Sequence, residues 1–141
     1  TVAELHKAGL VRSRNVVGCY AEYLFCKTFG WERLGNSVKH IDARSEDCTY
    51  QIKSRWAVDS NRAPEMGRLP ADDHIHFDSL AAVIFNDDFS IRYAALIPAN
   101  ILVGLRTGAP TKRRFVFKQK ILAIEGVNDV TAALAAAHSA A

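Results

Sequence analysis

The sequence of 141 residues predicts a single α/β domain, spanning 1–141, in which helices flank a mixed central β-sheet. Two stretches alternate polar and apolar residues with the period of half-buried strands. A nearly continuous apolar run, Leu80–Phe85, is typical of a strand covered on both faces. Segments with helical spacing lie before and after these strands. Since no repeat or linker divides the chain, we expect one core of ordinary size.

Composition argues for a soluble protein in a reducing compartment. The chain is 49% hydrophobic and 23% charged, and it has no apolar run long enough to cross a bilayer. Its first residues lack the layout of a signal peptide. Cys19, Cys26 and Cys48 form an odd set without a C-x-x-C pair, so neither a disulfide framework nor a zinc site is indicated. A cytoplasmic location without membrane contact is the expectation.

Capping residues and apolar spacing predict four helices. The strongest is capped by Ser13 or Asn15 and closed by Gly30, and it places Glu22 as the one acidic residue of the segment. Pro98 can begin another helix. The predicted helices are Val2–Ala8, the segment ending near Thr28, Ala99–Leu105 and the alanine-rich Asp129–His138.

The strands are predicted from alternation and from the turn residues between them. They are Trp31–Leu34, a hairpin of about 39–45 and 49–56, Leu80–Phe85, Ile91–Ile97 and Arg113–Ile121. The polar stretch 57–75 has no pattern of its own. A connection this long is often functional, so it is expected to be a substrate-contacting loop or a surface excursion.

The hairpin determines the functional prediction. If Glu46 and Asp47 form its loop, Asp42 faces Gln51, and His40 faces Lys53. Opposed side chains have Cβ atoms roughly 4.5–5.5 Å apart. The polar face of the second arm carries Thr49, Gln51, Lys53 and Arg55. Tyr50, Ile52 and Trp56 share the opposite face, and Ile52 is expected to point to the core.

This polar face is a candidate magnesium site. Mg²⁺ prefers oxygen ligands and keeps several waters. Asp42 offers a carboxylate oxygen, Gln51 an amide oxygen and Ile52 its backbone carbonyl, while Lys53 can hold or polarise an attacking water. Glu22 can complete the set from its helix, directly or through water. The chemistry that follows is hydrolysis of a phosphodiester bond.

Basic residues indicate a nucleic-acid partner. The net charge is only +3, but the segment Arg106–Lys120 contains six basic residues and no acidic one. Such a patch attracts phosphate backbones by releasing counterions, although a solvated strand and loop would look the same. The candidate nucleic-acid-binding residues are Arg55, Arg62, Arg68, Lys112, Arg113 and Arg114.

The pattern Asp42-x8-Gln51-x-Lys53 on a hairpin, with Glu22 on a preceding helix, resembles the PD-(D/E)XK nuclease superfamily. The stretch Tyr50–Arg55 is similar to small bacterial members whose second motif is Q-x-K. The resemblance implies a restriction-endonuclease-like fold and a metal-dependent endonuclease. Asp42 and Gln51 would bind the metal, Lys53 would assist the water and Glu22 would assist the metal.

The resemblance also implies Mg²⁺ as cofactor with Mn²⁺ able to substitute, nucleic acid (DNA expected) as substrate, and a homodimer. Two departures stand out: no proline precedes Asp42, and Gln51 replaces the usual acid. The second departure removes a negative charge, which predicts weaker metal affinity.

Three other interpretations remain open. The hairpin could carry only cross-strand ion pairs, which contribute little to stability. The domain could be a nucleic-acid-binding module that kept the fold and lost cleavage. His74 and His76 would share a strand face as an alternative metal site, but without a third ligand at zinc spacing they are better predicted as surface histidines.

Overall fold

The computed structural model of the chain describes residues 16–34, 41–56, 65–68, 76–86, 88–106 and 114–140. This part forms three α-helices and a 3₁₀ helix, which are α1 (Val16–Phe29), α2 (Ala99–Leu105), the 3₁₀ helix Gln119–Ala123 and α3 (Thr131–Ala140). Its eight strands are β1 (Glu32–Arg33), β2 (Ala43–Arg44), β3 (Thr49–Trp56), β4 (Glu65–Arg68), β5 (Ser79–Phe85), β6 (Ile91–Pro98), β7 (Arg114–Val116) and β8 (Asn128–Asp129). The predicted helix Val2–Ala8 lies outside the described residues.

The predicted α/β class and the mixed sheet are confirmed. Six strands form the central sheet in the order β1-β2-β3-β5-β6-β8, and β4 pairs with β7 in a second sheet. Strands β3 and β5 are parallel, whereas the other neighbours in the central sheet are antiparallel. Parallel strands need a crossover connection, so the chain leaves the sheet after β3 and returns at β5. Trp56 and Phe85 are therefore the last residues of two neighbouring strands and lie at the same end of the sheet.

The core lies on both faces of β5. Every residue from Leu80 to Phe85 is buried, which confirms the prediction of a strand covered on both sides. Odd-numbered side chains of β5 pack with α1 and α3, and even-numbered ones pack with α2, β4 and β7. This alternation gives the molecule two hydrophobic layers separated by one sheet.

Helix α1 ends as its sequence predicts. Gly30 has a φ of +71°, and the N–H of Trp31 donates to the carbonyl of Cys26 at 3.1 Å, which is a glycine-terminated helix end. The turn directs Trp31 back under the helix. There its ring centroid lies 5.9 Å from that of Phe25 and 3.7 Å from that of Tyr50. Trp31 thus links the end of α1 to β3.

Several predicted boundaries are corrected. The first arm of the hairpin is only Ala43–Arg44, with residues 35–40 outside the described part. Of the described residues in the predicted strand Arg113–Ile121, Arg114–Val116 form a strand, and the 3₁₀ helix begins at Gln119. Part of the supposedly patternless stretch 57–75 is β4, which pairs with β7. This pairing, between segments far apart in sequence, left no local signal.

The last helix begins two residues later than predicted. Asp129 belongs to β8, and its carboxylate accepts hydrogen bonds from the N–H and the hydroxyl of Thr131 at 3.0 and 2.6 Å. Asp129 therefore ends the strand and caps the helix. None of the helices among the described residues is both long and apolar enough to span a membrane.

Trp56 is predicted to share a strand face with Tyr50 and Ile52, but unlike them it is not buried. Its exposure is 44%, whereas that of Trp31 is 9%. The indole N–H of Trp56 donates to the carbonyl of Asn86 at 2.8 Å, beyond the end of β5. Alternation gives the face on which a side chain lies but not whether another element covers that face.

The two tryptophans should differ sharply in their contribution to stability. Trp31→Ala removes a buried ring and is expected to lower the unfolding free energy by about 3–5 kcal/mol. Trp56→Ala removes an exposed ring and one hydrogen bond, so the expected loss is about 1 kcal/mol. Urea unfolding followed by far-ultraviolet circular dichroism measures both. Equal losses would contradict the placement of the two rings.

Candidate functional site

The hairpin register is as predicted. Ala43 pairs with Tyr50 and Arg44 pairs with Thr49, so Asp42 continues the line towards Gln51. The N–H of Ser45 donates to the carbonyl of Cys48 at 2.8 Å and closes the loop around Glu46 and Asp47. The predicted pairing of His40 with Lys53 lies outside the described residues because residue 40 does.

Asp42 is held by hydrogen bonds on two sides. Its N–H donates to the carbonyl of Tyr50 at 2.8 Å, and its carbonyl accepts from the N–H of Leu34 at 2.9 Å. Its carboxylate oxygen Oδ2 accepts the N–H of Ile52 at 2.8 Å. The Asp42 carboxylate therefore accepts a hydrogen bond from β3 at the point where the regular β2–β3 ladder stops. This is more specific than the predicted opposition to Gln51, since the carboxylate is fixed against the main chain of β3.

Gln51 and Lys53 share the predicted face of β3. Tyr50, Ile52 and Ser54 are buried on one side, while Gln51 and Lys53 are half-buried on the other. The N–H of Ile52 faces Asp42, and in an extended strand the carbonyl of the same residue faces the same neighbour. The Ile52 carbonyl and the Asp42 carboxylate are thereby both placed between β2 and β3, next to the face that carries Gln51.

Burial perturbs the two charged groups of this patch in opposite directions. It raises the pKa of Asp42, while the Ile52 N–H and the charges of Lys53 and Arg33 lower it in part. It lowers the pKa of Lys53, helped by Arg55 and opposed by Asp42. Each group loses hydration that favours its ionised form, and each offsets part of the other's loss. Such opposed shifts are common at functional sites.

Glu22 lies on the α1 side of the sheet, whereas Gln51 and Lys53 align with Leu80 and Ala82 of the opposite side. Glu22 is bound there by Arg33, a residue that the sequence interpretation missed. Arg33 on β1 donates to the Glu22 carboxylate oxygen Oε2 through Nη2 at 2.9 Å and Nε at 3.3 Å. Its side chain is only 11% exposed, and its charge also lowers the pKa of Asp42. Arg33 therefore connects the two predicted acidic residues electrostatically. The only sequence signal was a basic residue in a short edge strand.

The predicted nucleic-acid-binding residues are only partly described. Arg55 is exposed at the end of β3, and its Nη1 donates to the carbonyl of Ser54 at 2.8 Å. Arg68 and Arg114 are register partners across β4 and β7, in the sheet that contacts β3. The remaining three predicted residues, Arg62, Lys112 and Arg113, lie outside the described residues.

The oxygen atoms around Asp42 suit a metal ion that keeps several water molecules in its coordination shell. Among the described residues there is no group of three or more His, Cys, Asp and Glu side chains that could hold a metal. The set around Asp42 differs from such a group because two of its three oxygens come from an amide and a carbonyl. Mg²⁺ accepts such ligands and completes its shell with water or phosphate oxygens. Of the alternative pair, His76 is exposed and His74 lies outside the described residues.

Comparisons with known proteins do not assign the chain to a family. No protein-family model matches the sequence, and no curated protein matches it. The resemblance to PD-(D/E)XK nucleases therefore stays a prediction from the motif residues.

The hydrogen bond between Asp42 and Ile52 can be tested by two substitutions. Asp42→Ala leaves the buried Ile52 N–H without its acceptor and is expected to lower the unfolding free energy by about 1–3 kcal/mol. Asp42→Asn keeps an oxygen for this N–H, so the expected loss is below about 1 kcal/mol. Urea denaturation of both variants gives the comparison. A loss of similar size in both would argue against this contact.

The raised pKa of Asp42 predicts a pH dependence of stability. Between the ordinary value of 3.8 and the raised pKa, the folded chain binds more protons at Asp42 than the unfolded chain does. The stability of the native chain relative to Asp42→Asn should therefore fall as pH rises through this window and level off above it. Unfolding of both proteins between pH 3.5 and pH 7, a range of about four units, measures the difference. A relative stability that rises with pH would refute the shift.

Proposed function

We propose that this chain is a metal-dependent endonuclease of restriction-endonuclease-like fold that hydrolyses phosphodiester bonds of nucleic acid, with DNA expected. Glu22, Asp42, Gln51 and Lys53 form the proposed site. The observation that carries the proposal is the Asp42 carboxylate bound to the Ile52 N–H at 2.8 Å, beside the face that holds Gln51 and Lys53. The meander β1–β2–β3, preceded by α1 and followed by a strand parallel to β3, supports the fold.

Mg²⁺ is the proposed cofactor, and Mn²⁺ is expected to substitute for it. Asp42, Gln51 and the Ile52 carbonyl would hold the ion, and Glu22 would support it directly or through water. When bound, a divalent ion polarises the phosphate and makes a coordinated water more acidic. Because Gln51 is neutral, the site has less negative charge than one with two acids on the hairpin. We therefore expect weak metal affinity.

Lys53 is proposed to orient the attacking water and to donate a hydrogen bond to the phosphate. Its half-buried position strengthens the field of its ammonium group where charge develops in the transition state. Burial also lowers its pKa, which brings proton transfer closer to neutral pH. Asp42 opposes this shift and so favours the ionised form.

Arg33 is proposed to position Glu22. Its guanidinium holds the Glu22 carboxylate at 2.9 Å, on the side of the sheet covered by α1. The same positive charge favours ionisation of Asp42, which metal binding requires. Arg33 therefore supports two acidic side chains at once.

Basic residues outside the patch are proposed to contact the phosphates that flank the scissile bond. Of these, Arg55 adjoins the site, and Arg68 and Arg114 pair across the sheet that contacts β3. Phosphate contacts of this kind would position the strand without reading its sequence. A homodimer would supply the second site needed to cut both strands of a duplex.

The second candidate is a nucleic-acid-binding module of the same fold with weak or lost cleavage. Two observations favour it. Gln51 stands where an acid would bind metal more strongly, and Glu22 is engaged by Arg33. This candidate predicts retention of nucleic acid without products.

A cleavage assay separates the two candidates. The native chain, incubated with plasmid, single-stranded circular DNA or structured RNA, is expected to cut in Mg²⁺ or Mn²⁺ and not in a chelator. Lys53→Ala should reduce the rate at least about 100-fold, because it removes the group that orients the water. Lys27→Ala removes an exposed lysine of α1 and should leave the rate unchanged. Gel electrophoresis measures products.

The outcomes are distinct. If the native chain cuts none of these substrates in either metal but binds them in a mobility-shift assay, the result supports the binding module and excludes the nuclease. Equal activity of Lys53→Ala and the native chain would show that the cleavage arises elsewhere.

A further inference from the structure

Trp56 is the one large hydrophobic side chain that is exposed within the described ranges of the chain. It is the last residue of β3 and lies at the end of the sheet where the parallel strands β3 and β5 both end. An aromatic ring left in water gives up the stabilisation that burial would provide. An exposed ring that is also held in place is therefore a candidate contact surface.

The Trp56 ring is fixed by two contacts. Its N–H donates to the carbonyl of Asn86 at 2.8 Å, and its centroid lies 4.9 Å from that of Phe89. Phe89 has a φ of +67°, a conformation uncommon for a residue with a side chain. Its ring in turn packs on Phe85 and Tyr20, with centroids at 5.6 and 6.1 Å. A ring supported in this way loses little freedom when a partner stacks on it.

Positive charge lies on both sides of the strand end that carries this ring. Arg55 precedes Trp56 in sequence, is exposed and belongs to the opposite face of β3. Arg92 is also exposed, at the irregularity of the β5–β6 register, and its Nε donates to the side-chain oxygen of Asn86 at 2.7 Å. Asn86 thus anchors both the indole and a guanidinium. The one acidic neighbour described in this turn, Asp88, accepts hydrogen bonds from the N–H and hydroxyl of Ser90 at 2.9 and 2.5 Å.

An exposed ring with one arginine beside it and another on the reverse face of the same strand suits a nucleotide better than an apolar partner. Bases stack on aromatic side chains whatever their identity, and arginines bind the neighbouring phosphates. A base within a duplex is already stacked on both faces, so only an unpaired base can use the indole. The chemistry of this surface therefore points to single-stranded nucleic acid.

The position of the ring is compatible with the proposed site. Trp56 lies three residues after Lys53, a distance of about 10 Å along an extended strand. This equals about three nucleotides at the spacing of stacked bases. Lys53 and Trp56 are on opposite faces of β3, so one strand contacts both only by passing around the end of the sheet. A flexible single strand can follow this path more easily than a stiff duplex.

We propose that Trp56 stacks on an unpaired base a few nucleotides from the site of cleavage, with Arg55 and Arg92 binding phosphates of the same strand. The substrate class is thereby narrowed to nucleic acid with a single-stranded stretch. This inference rests on the proposed function for the identity of the ligand, but its test needs no cleavage.

Binding is measured in a chelator, by fluorescence anisotropy of a labelled single-stranded oligonucleotide and of a blunt duplex of the same length. Trp56→Ala should weaken single-strand binding on the order of tenfold and duplex binding less than about twofold. Trp56→Phe should retain most of the affinity because it keeps a ring face. Arg44→Ala serves as the charge control for Arg55→Ala and Arg92→Ala, since Arg44 is exposed and paired with Glu32 at 2.7 Å.

A second measurement does not depend on the folding of a Trp56 variant. In Trp31→Phe, Trp56 is the only tryptophan of the chain, and the single strand should quench its emission while the duplex should not. Unchanged emission at saturating single strand, or equal binding by Trp56→Ala and the native chain, overturns the inference. Equal weakening for single strand and duplex also overturns it.

The two proposals fail separately. A chain that never cleaves but loses single-strand binding in Trp56→Ala supports the stacking surface and excludes the nuclease. A chain that cleaves and binds equally well with Trp56→Ala keeps the nuclease and excludes the surface.

Discussion

The hydrogen bond from the Ile52 N–H to the Asp42 carboxylate is the contact on which the candidate site depends. It lies where the β2–β3 ladder ends, so a side chain replaces the main-chain partner that Ile52 would otherwise lack. Because a buried N–H is costly to leave unpaired, the fold itself holds this carboxylate in position. The acid is therefore fixed before any ion or substrate arrives, which is the condition for a preorganised site.

The electrostatics of the patch oppose stability and favour chemistry. Asp42 and Lys53 are both partly withdrawn from water, and burial disfavours the ionised form of each. Their mutual attraction and the charge of Arg33 offset part of that cost for Asp42. A structural ion pair has no need of such burial, since exposed pairs form without it. The arrangement is understandable if the charges are retained for binding or catalysis, because unfavourable burial of charged groups is common at functional sites.

Strand β3 brings the proposed functions together because it is central in the sheet and long. Its first half carries the Gln51 and Lys53 face, and its parallel partner β5 forms the most deeply buried strand. Its last two residues, Arg55 and Trp56, are exposed. The rigid core thus supports a half-buried polar patch and an exposed end within one strand, so that substrate contacts are fixed relative to one another.

The sequence by itself determined the features that depend on local periodicity. Alternation and the loop length were enough to predict the register that brings Asp42 towards Gln51 and the shared face of Gln51 and Lys53, and Gly30 marked the end of α1. Tertiary structure alone decided the ion pair of Arg33 with Glu22, the pairing of β4 with β7 and the exposure of Trp56. These features arise from contacts between segments distant in the chain, or from whether another element covers the end of a strand. Periodicity assigns a side chain to one face of a strand but does not reveal what covers that face.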